Sequence, residues 1–367
     1  MLLNEHLTRN ELLGLLGSGR SSEDSQNLYD AAYHIKLQHV GAKVYFRGLI
    51  KFSNICEKNC LYCGIRKDNP GQQRYMMNKK EILDAALWAY DKGYGSIVLQ
   101  SGERTDPEYI GFVAGVIESI SKHTAGRLGI TLSLGEQDRR TYERWREAGA
   151  HRYLLRIETS NPELYAKLHP ADHSFTRRVA CLQNLKDLGY QLGTGIMIGL
   201  PFQTLEHLID DILFFERMDI DMIGMGPYVI HEETPLAGVA AGFDKERNFE
   251  LTLGMIALCR IMLRDVNIAA TTALQAVHPQ GREMGLRAGA NIIMPIITPK
   301  KYREHYQLYN DKPCVNEQAD QCKGCLEERI RSIKEKIAYN AWGDPPHYFR
   351  RTKAAAQSQP QKTTGAA

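Results

Sequence analysis

The sequence is defined first by several things that it lacks. No run of about eighteen apolar residues is present, so no membrane-spanning helix is predicted. The first residues, MLLNEHLTRNELL, mix acids and bases with leucines where a secretion signal needs an uninterrupted apolar core. Lys and Arg number 46 against 43 Asp and Glu, and no dense basic run suggests a nucleic-acid partner. We therefore expect a cytoplasmic protein that binds neither membranes nor nucleic acid.

Short apolar runs alternate with longer amphipathic stretches from about Val44 onward. The candidate strands begin at Val44, Ser96, Leu128, Arg152, Gln191, Met222, Asn267 and Asn291. Parallel strands need crossover connections, and eight such units over about 250 residues are typical of a closed barrel. The predicted fold class is α/β, a (β/α)8 barrel of the TIM type, with an open doubly wound sheet as the alternative.

The pattern divides the chain of 367 residues into four segments. Residues 1–40 are predicted to form an N-terminal helical extension, in which Thr8 and Glu11 resemble a capping box. The barrel is expected over 41–300. Residues 301–345 form a C-terminal segment with a second cysteine group and a helix near LEERIRSIKEKIAYN. The tail over 346–367 is small and polar and is expected to be disordered.

Three cysteines, Cys56, Cys60 and Cys63, follow the first predicted strand within eight residues. Clustered cysteines in a reducing compartment more often bind metal than form disulfides. A structural zinc ion takes four ligands and a catalytic one usually three with water, and a zinc site remains an alternative. An iron-sulfur cubane is normally held by four cysteines, so three would leave one iron open to an outside ligand. Barrel enzymes place their chemistry at this end of the strands.

The C-x3-C-x2-C spacing, with Tyr62 before the last cysteine, resembles the loop of radical S-adenosylmethionine (SAM) enzymes. The resemblance implies a 4Fe-4S cluster whose open iron binds SAM and whose electron releases a 5′-deoxyadenosyl radical. It also implies SAM contacts for several residues. These are Tyr62, Gln100, Ser101, Gly102, Glu103, Glu158, Arg178, Met222 and Tyr306.

Three of the implied roles have a plainer alternative. Arg178 is suited to the SAM carboxylate because its planar fork can bind a carboxylate at two points, but it could lie on a solvated helix face. Glu158 could instead form a structural ion pair with Arg156. Met222 could be a buried strand side chain. Because a carbon radical needs a dry, fixed substrate more than proton transfer, no general acid or base is nominated.

Further stretches, including GLIKFSNIC, CGIRKDN, TLSLGE and ANIIMP, resemble the HydE family of FeFe-hydrogenase maturases from about Gly41 through Trp342. That resemblance implies action on an iron carbonyl cyanide precursor of the diiron subcluster. It also implies the partner maturases HydG and HydF and an external electron donor. One departure is Phe202, where many members have Gly. A small-molecule enzyme like methylornithine synthase or biotin synthase, and a non-catalytic iron-sulfur carrier, remain alternatives.

Two further sites are expected. Inward-facing arginines in a barrel would be costly unless they met an anion, which predicts a pocket for a small anion, with arginines turned outward and paired with acids as the alternative. The family resemblance implies that this pocket binds a small organometallic or anionic substrate. Its candidate residues are Arg47, Thr131, Ser133, Arg156, Thr271, Thr272 and Met294. The second group, Cys314, Cys322 and Cys325, resembles the accessory site of many family members and suggests a second cluster, 2Fe-2S or 4Fe-4S, with zinc or free thiols as alternatives. A monomer is expected.

Overall fold

The computed structural model describes residues 6–17, 21–239, 242–309 and 319–358. Its strands are β1 Lys43–Ser53, β2 Ser96–Ser101, β3 Gly129–Ser133, β4 Arg152–Leu154, β5 Gln191–Thr194, β6 Met197–Ile198, β7 Met222–Pro227, β8 Asn267–Ala270, β9 Ile292–Ile293 and β10 Lys336–Ile337. Its helices are α1 Arg9–Leu16, α2 Ser22–His39, α3 Lys79–Asp91, α4 Pro107–His123, α5 Arg139–Glu147, α6 Pro162–Leu168, α7 Phe175–Asp187, α8 Leu205–Met218, α9 Lys245–Leu263, α10 Thr272–Val277, α11 Gly281–Arg287, α12 Lys300–Arg303, α13 Ala319–Ser332 and α14 Pro346–Ser358.

Eight parallel strands of the described chain close into a barrel. The order is β1-β2-β3-β4-β5-β7-β8-β9, and β1 pairs with both β2 and β9. Strand β6 pairs with β7, and β10 pairs with the first residues of β1. This closure confirms the predicted (β/α)8 barrel, and the open doubly wound alternative is wrong.

Local sequence explains where most elements begin. Thr8 and Glu11 form the predicted capping box of α1, and Asn78 with Glu81 forms another at α3. The predicted strand starts agree with the observed ones to within about one residue. Three strands differ most from the expectation: β4 spans only three residues, β9 spans only two, and the run from Gln191 is divided into β5 and β6.

The barrel interior is divided into levels by the alternation of side chains along each strand. On β1, Arg47, Leu49 and Lys51 follow one another at every second position and face the same side. Leu49 packs with Val98 and Ile296, and Met294 packs against this cluster, which makes an apolar middle level. This apolar level separates the polar groups near the carboxyl ends of the strands, the upper end of the barrel, from those near the amino ends, the lower end.

The C-terminal segment covers the lower end of the barrel, where the strands begin. The Gly343 carbonyl accepts hydrogen bonds from Arg47 Nη2 at 3.2 Å and from Asn267 Nδ2 at 2.8 Å. Arg152 donates to Asp344 and to the Trp342 carbonyl. The guanidinium groups of Arg47 and Arg152 are almost fully buried, so these partners offset a large desolvation cost.

The C-terminal end of the chain is more ordered than expected. The helix α14 covers 346–358, so the prediction of disorder is wrong for these residues, and 359–367 lie outside the described residues. The helix is anchored by His347, Arg350 and Arg351, which pair with Asp219, Asp221 and Asp265 at the starts of β7 and β8. The expected helix near LEERIRSIKEKIAYN also begins earlier and ends at Ser332.

In the described ranges, no helix combines the length and the apolar composition that crossing a lipid bilayer would require.

We expect His347→Gln to destabilise the protein in a pH-dependent way. His347 lies 2.9 Å from carboxylate oxygens of both Asp219 and Asp221. Burial alone would lower the pKa of His347, but the two carboxylates raise it to about 9. A raised histidine pKa contributes stability that is complete below about pH 6.5 and is lost as the pH rises through 9. The unfolding free energy should fall by about 1–3 kcal/mol at pH 6 and by much less at pH 10.

Urea titrations at the two pH values measure this difference, and His34→Gln on the exposed face of α2 serves as the control. An equal loss at both pH values would contradict the charged state of His347.

We expect Phe202→Gly to be more stable than Phe202→Ala by about 1 kcal/mol. Phe202 has φ +67° and a side chain that is 53% exposed, beneath Lys167 Nζ at 5.2 Å from the ring centre. Both substitutions remove the ring, but only glycine adopts this backbone conformation without strain. Comparing the thermal unfolding of the two variants measures the backbone strain at this position, and equal stability would contradict the expected difference.

Candidate active site

A cavity of about 320 Å³ opens at the end of the barrel where the strands finish. Lys51 on β1 and Gly226 on β7 lie on its wall together with apolar residues such as Leu154. Most of the predicted site residues also line it. These are Cys56, Cys60, Tyr62, Cys63, Gln100, Ser101, Gly102, Glu103, Ser133, Arg156, Glu158, Arg178, Thr271, Thr272, Met294 and Tyr306.

The three clustered cysteines lie on the loop after β1 and are all partly buried. Burial raises the pKa of Cys60 to about 12, and it also raises those of Cys56 and Cys63. Cys56 Sγ accepts a hydrogen bond from the Glu103 backbone N–H at 3.3 Å. In the metal-free chain these thiols are therefore protonated, and a metal would have to displace their protons.

Hydrogen bonds to the backbone hold the cysteine loop in place. Arg74 donates to four of its carbonyls, those of Asn54, Ile65, Arg66 and Lys67, at 2.6–3.1 Å. The loop also approaches Gly102 so closely that a Cβ there would lie 2.3 Å from the Ile55 carbonyl oxygen. Only glycine fits at this position, which explains the glycine in the stretch that follows β2.

A network of buried charges lies beside the cysteines. Arg178 Nε donates to Glu136 Oε1 at 2.6 Å, and Arg178 Nη1 donates to the Arg156 carbonyl at 2.7 Å. Lys58 Nζ lies 3.4 Å from Glu103 Oε1 and 3.3 Å from Glu136 Oε2. Burial alone would raise the pKa of Glu136, but Arg178 and Lys58 bring it below its ordinary value. Arg178 is thus a fixed cation on the cavity wall and does not lie on a solvated helix face.

Glu158 follows the end of β4 and has an unusual backbone conformation. Its φ is +64°, and its Oε2 lies 3.0 Å from Arg156 Nη2, so the ion pair considered from the sequence is present. Burial raises the pKa of Glu158, although Arg156 and Arg178 oppose this. The next turn is fixed by Asp211 Oδ1, which accepts the Ser160 N–H at 2.6 Å. Burial raises the pKa of Asp211 to about 7.

The donor set of the cavity fits an iron-sulfur cluster with a charged cosubstrate. Three thiols from one loop can each bind one iron. Thr271 Oγ1 and Arg156 Nε are buried on the described cavity wall without a hydrogen-bond partner, which is costly unless a ligand supplies one. Arg178 supplies a cation and Glu103 an acceptor, as a zwitterionic ligand requires.

Three predicted site residues lie apart from the cavity. Arg47 and Thr131 do not line it. Met222, at the start of β7, is 4% exposed and its sulfur contacts Arg47 Nη1. Arg47 lies one step below the apolar level on β1, and Thr131 is in register with Val98 of that level. The roles predicted for these three residues stay predictions.

Two of the three cysteines in the second group lie within the described residues. Cys322 is buried and Cys325 is exposed on α13, and neither lines the cavity. Cys314 lies outside the described residues.

Sequence reasoning missed three charged residues of the site. Lys51 lies above the Tyr306 ring at 4.7 Å and lines the cavity. The alternation from Arg47 along β1 could have indicated it. Lys58 lies between two of the cysteines, and Glu136 ends the stretch TLSLGE, but only the tertiary structure shows that they meet Arg178 and Glu103.

Comparison with known proteins gives three kinds of match. Residues 50–215 match the model of the radical SAM superfamily. The chain is 47% identical over 326 residues to the FeFe hydrogenase maturase subunit HydE of Thermotoga maritima, covering 89% of this chain and 90% of that protein. It is 31% identical to the 3-methylornithine synthase of Methanosarcina barkeri, covering 90% and 87%. The crystal structure of methylornithine synthase (PylB) has a TM-score of 0.78 and 27% identity, covering 92% of this chain and 96% of that one.

We expect Glu136→Gln to reduce the unfolding free energy by about 2–4 kcal/mol, since it removes the buried anion that pairs with Arg178, Lys58 and Arg177. Glu136 is 1% exposed and contacts both Arg178 and Lys58. Glu57→Gln, at an exposed position that accepts a hydrogen bond from Thr105, should cost less than about 1 kcal/mol. Anaerobic urea titrations of both metal-free variants compare them, and similar losses would argue against the network.

Proposed function

Because the chain belongs to the HydE family of radical SAM enzymes, we propose that it acts in assembly of the diiron subcluster of FeFe hydrogenase. The observation that carries this proposal is the meeting of Cys56, Cys60 and Cys63 with Glu103 and Arg178 on the wall of one cavity. The family uses a 4Fe-4S cluster and SAM. The remaining steps assign residues of this chain to these groups and to the substrate.

Cys56, Cys60 and Cys63 would bind three irons of the cluster and leave the fourth for SAM. When bound, the cluster and SAM together supply one electron and the carbon-centred radical that this electron releases. Arg178 would bind the SAM carboxylate, because Glu136 and the Arg156 carbonyl already hold its Nε and Nη1 and thereby orient the guanidinium toward the cavity.

The other SAM contacts are assigned to three parts of the cavity wall. Gln100 to Glu103, at the end of β2, would face the amino group. Glu158 would accept from the ribose or the amino group. Tyr62 and Tyr306 would cover the nucleoside, and Tyr306 is only 1% exposed. Tyr306 and the apolar wall exclude water, which protects a reactive carbon radical from side reactions.

The substrate would occupy the part of the cavity between SAM and the apolar level. Arg156 offers a cation there, Ser133, Thr271 and Thr272 offer hydroxyl groups, and Met294 closes the floor. This set suits a small anion with hydrogen-bond acceptors, such as an iron carbonyl cyanide precursor. The family further suggests that HydG supplies this substrate, that HydF receives the product, and that an external donor supplies the electron.

A second cluster on Cys314, Cys322 and Cys325 is also proposed. Because neither Cys322 nor Cys325 lines the cavity, it should be dispensable for the radical chemistry.

Two other functions compete with this proposal. A small-molecule enzyme is supported by the 31% identity to 3-methylornithine synthase, although the identity to HydE is higher. A carrier that only passes clusters on would not need the buried cation of Arg178 in its cavity.

The cluster-reconstituted protein should form 5′-deoxyadenosine from SAM and dithionite under anaerobic conditions. Cys60→Ala should reduce this formation at least about 100-fold, since one of the three irons loses its ligand. Cys325→Ala should retain it to within about threefold. Chromatography of the nucleoside products provides the measurement.

Failure of the unmodified protein to form 5′-deoxyadenosine would favour the carrier. Formation of 3-methylornithine would favour the small-molecule enzyme, and hydrogenase activation in a mixture of purified maturases would favour the proposed function.

A further inference from the structure

One short segment contacts the cysteine loop on both sides of Cys60. This segment, residues 168–174, is named the histidine strap and connects α6 to α7. Leu61 N–H donates to the Leu168 carbonyl at 3.0 Å. Asn59 N–H donates to His173 Nε2 at 3.1 Å, and the Tyr62 hydroxyl lies 3.2 Å from His169 Nε2.

The partners of the two imidazoles fix which nitrogen carries the proton. His173 Nδ1 lies 2.8 Å from Asp172 Oδ1. An ionised carboxylate accepts hydrogen bonds and cannot donate them. His169 Nδ1 lies 2.9 Å from the Tyr165 carbonyl oxygen, which likewise only accepts. Nδ1–H is therefore the donor in both rings, and Nε2 is left as an acceptor that faces the cysteine loop.

Both rings are buried, and burial keeps them neutral. His169 is 3% and His173 is 7% exposed, and the Tyr165 ring stacks on His169 with a centroid separation of 3.9 Å. Burial lowers the pKa of His169 to about 3. Burial, together with Lys58, also lowers the pKa of His173.

The strap leads directly into the helix that carries Arg178. Ser174 caps α7, and Arg178 lies in its first turns with its guanidinium fixed by Glu136. One covalent segment thus contacts the loop around Cys60 at one end and positions Arg178 at the other.

We propose that His173, supported by Asp172, is a positioning residue that fixes the cysteine loop relative to Arg178. This inference rests on the proposed function, because it assumes that a cluster occupies the loop and that SAM reaches Arg178. A neutral acceptor at His173 Nε2 would keep Cys60 at the distance from Arg178 that simultaneous binding of the cluster and the SAM carboxylate requires.

The test compares three variants of the reconstituted protein. His173→Gln keeps an acceptor at a similar distance from the backbone, whereas His173→Leu removes it at a similar volume. His123→Leu, on the exposed face of α4, is the matched control. Two quantities are measured: the rate of iron loss to a chelator, and the SAM concentration that gives half of the change in the electron paramagnetic resonance spectrum of the reduced cluster.

For His173→Leu we expect at least fivefold faster iron loss and at least a fivefold higher half-saturating SAM concentration. His173→Gln and His123→Leu should stay within about twofold of the unmodified protein. Should His173→Leu fail to fold, Asp172→Ala removes the acceptor for His173 Nδ1 and should shift both quantities in the same direction by about twofold.

Two results would overturn the inference. Either His173→Leu retains both quantities of the unmodified protein, or His173→Gln is impaired as much as His173→Leu, so that the acceptor is irrelevant. Neither result affects the proposed function, which fails if the unmodified protein assembles no cluster, forms no 5′-deoxyadenosine from SAM, or forms 3-methylornithine.

Discussion

The site depends on one constraint: the chain between Ser53 and Met76 must leave the barrel and return with its backbone polar groups paired. No long helix or strand pairs the backbone groups of this stretch. Side chains of the loop itself pair them: Arg74 donates to four carbonyls, and the Asn54 amide donates to the carbonyls of Gln73 and His305. The cysteine loop is therefore shaped by protein contacts before any metal binds. The positions of the thiols are a property of the fold.

A second constraint is the separation of buried charge within the barrel. Arg47 and Arg152 at the lower end donate to Gly343, Trp342 and Asp344, while Arg156 and Arg178 line the upper cavity. The apolar level of Leu49, Val98 and Ile296 lies between them. The lower arginines thus stabilise the closure of the barrel by the C-terminal segment, and the upper ones remain for ligands. That segment covers the lower end, and the cavity lies at the face that carries the cysteines.

The sequence predicted the periodic features well and the tertiary ones poorly. Strand positions follow from alternation, and the cysteine spacing identified the loop, because both signals are local. The level of a residue along its strand depends on register, so the sequence could not show that Met222, Arg47 and Thr131 lie apart from the wall of the upper cavity. The helix α14 was missed because its stability comes from Asp219, Asp221 and Asp265, which are distant in sequence. Glu136 was missed for the same reason.

Protonated thiols and a preformed loop together explain how the metal-free chain keeps three buried cysteines close together without a large electrostatic cost. Three buried thiolates would repel one another and would be costly to desolvate, but burial raises the pKa of Cys60 to about 12 and keeps the thiols neutral. Metal binding must then release protons, so part of its free energy is used for their removal. The positive charges of Arg74 and Arg178 oppose that cost by lowering the pKa values of Cys56 and Cys60, respectively. The same arginines that shape the loop and face the cavity therefore also favour the charged state in which cysteines bind iron.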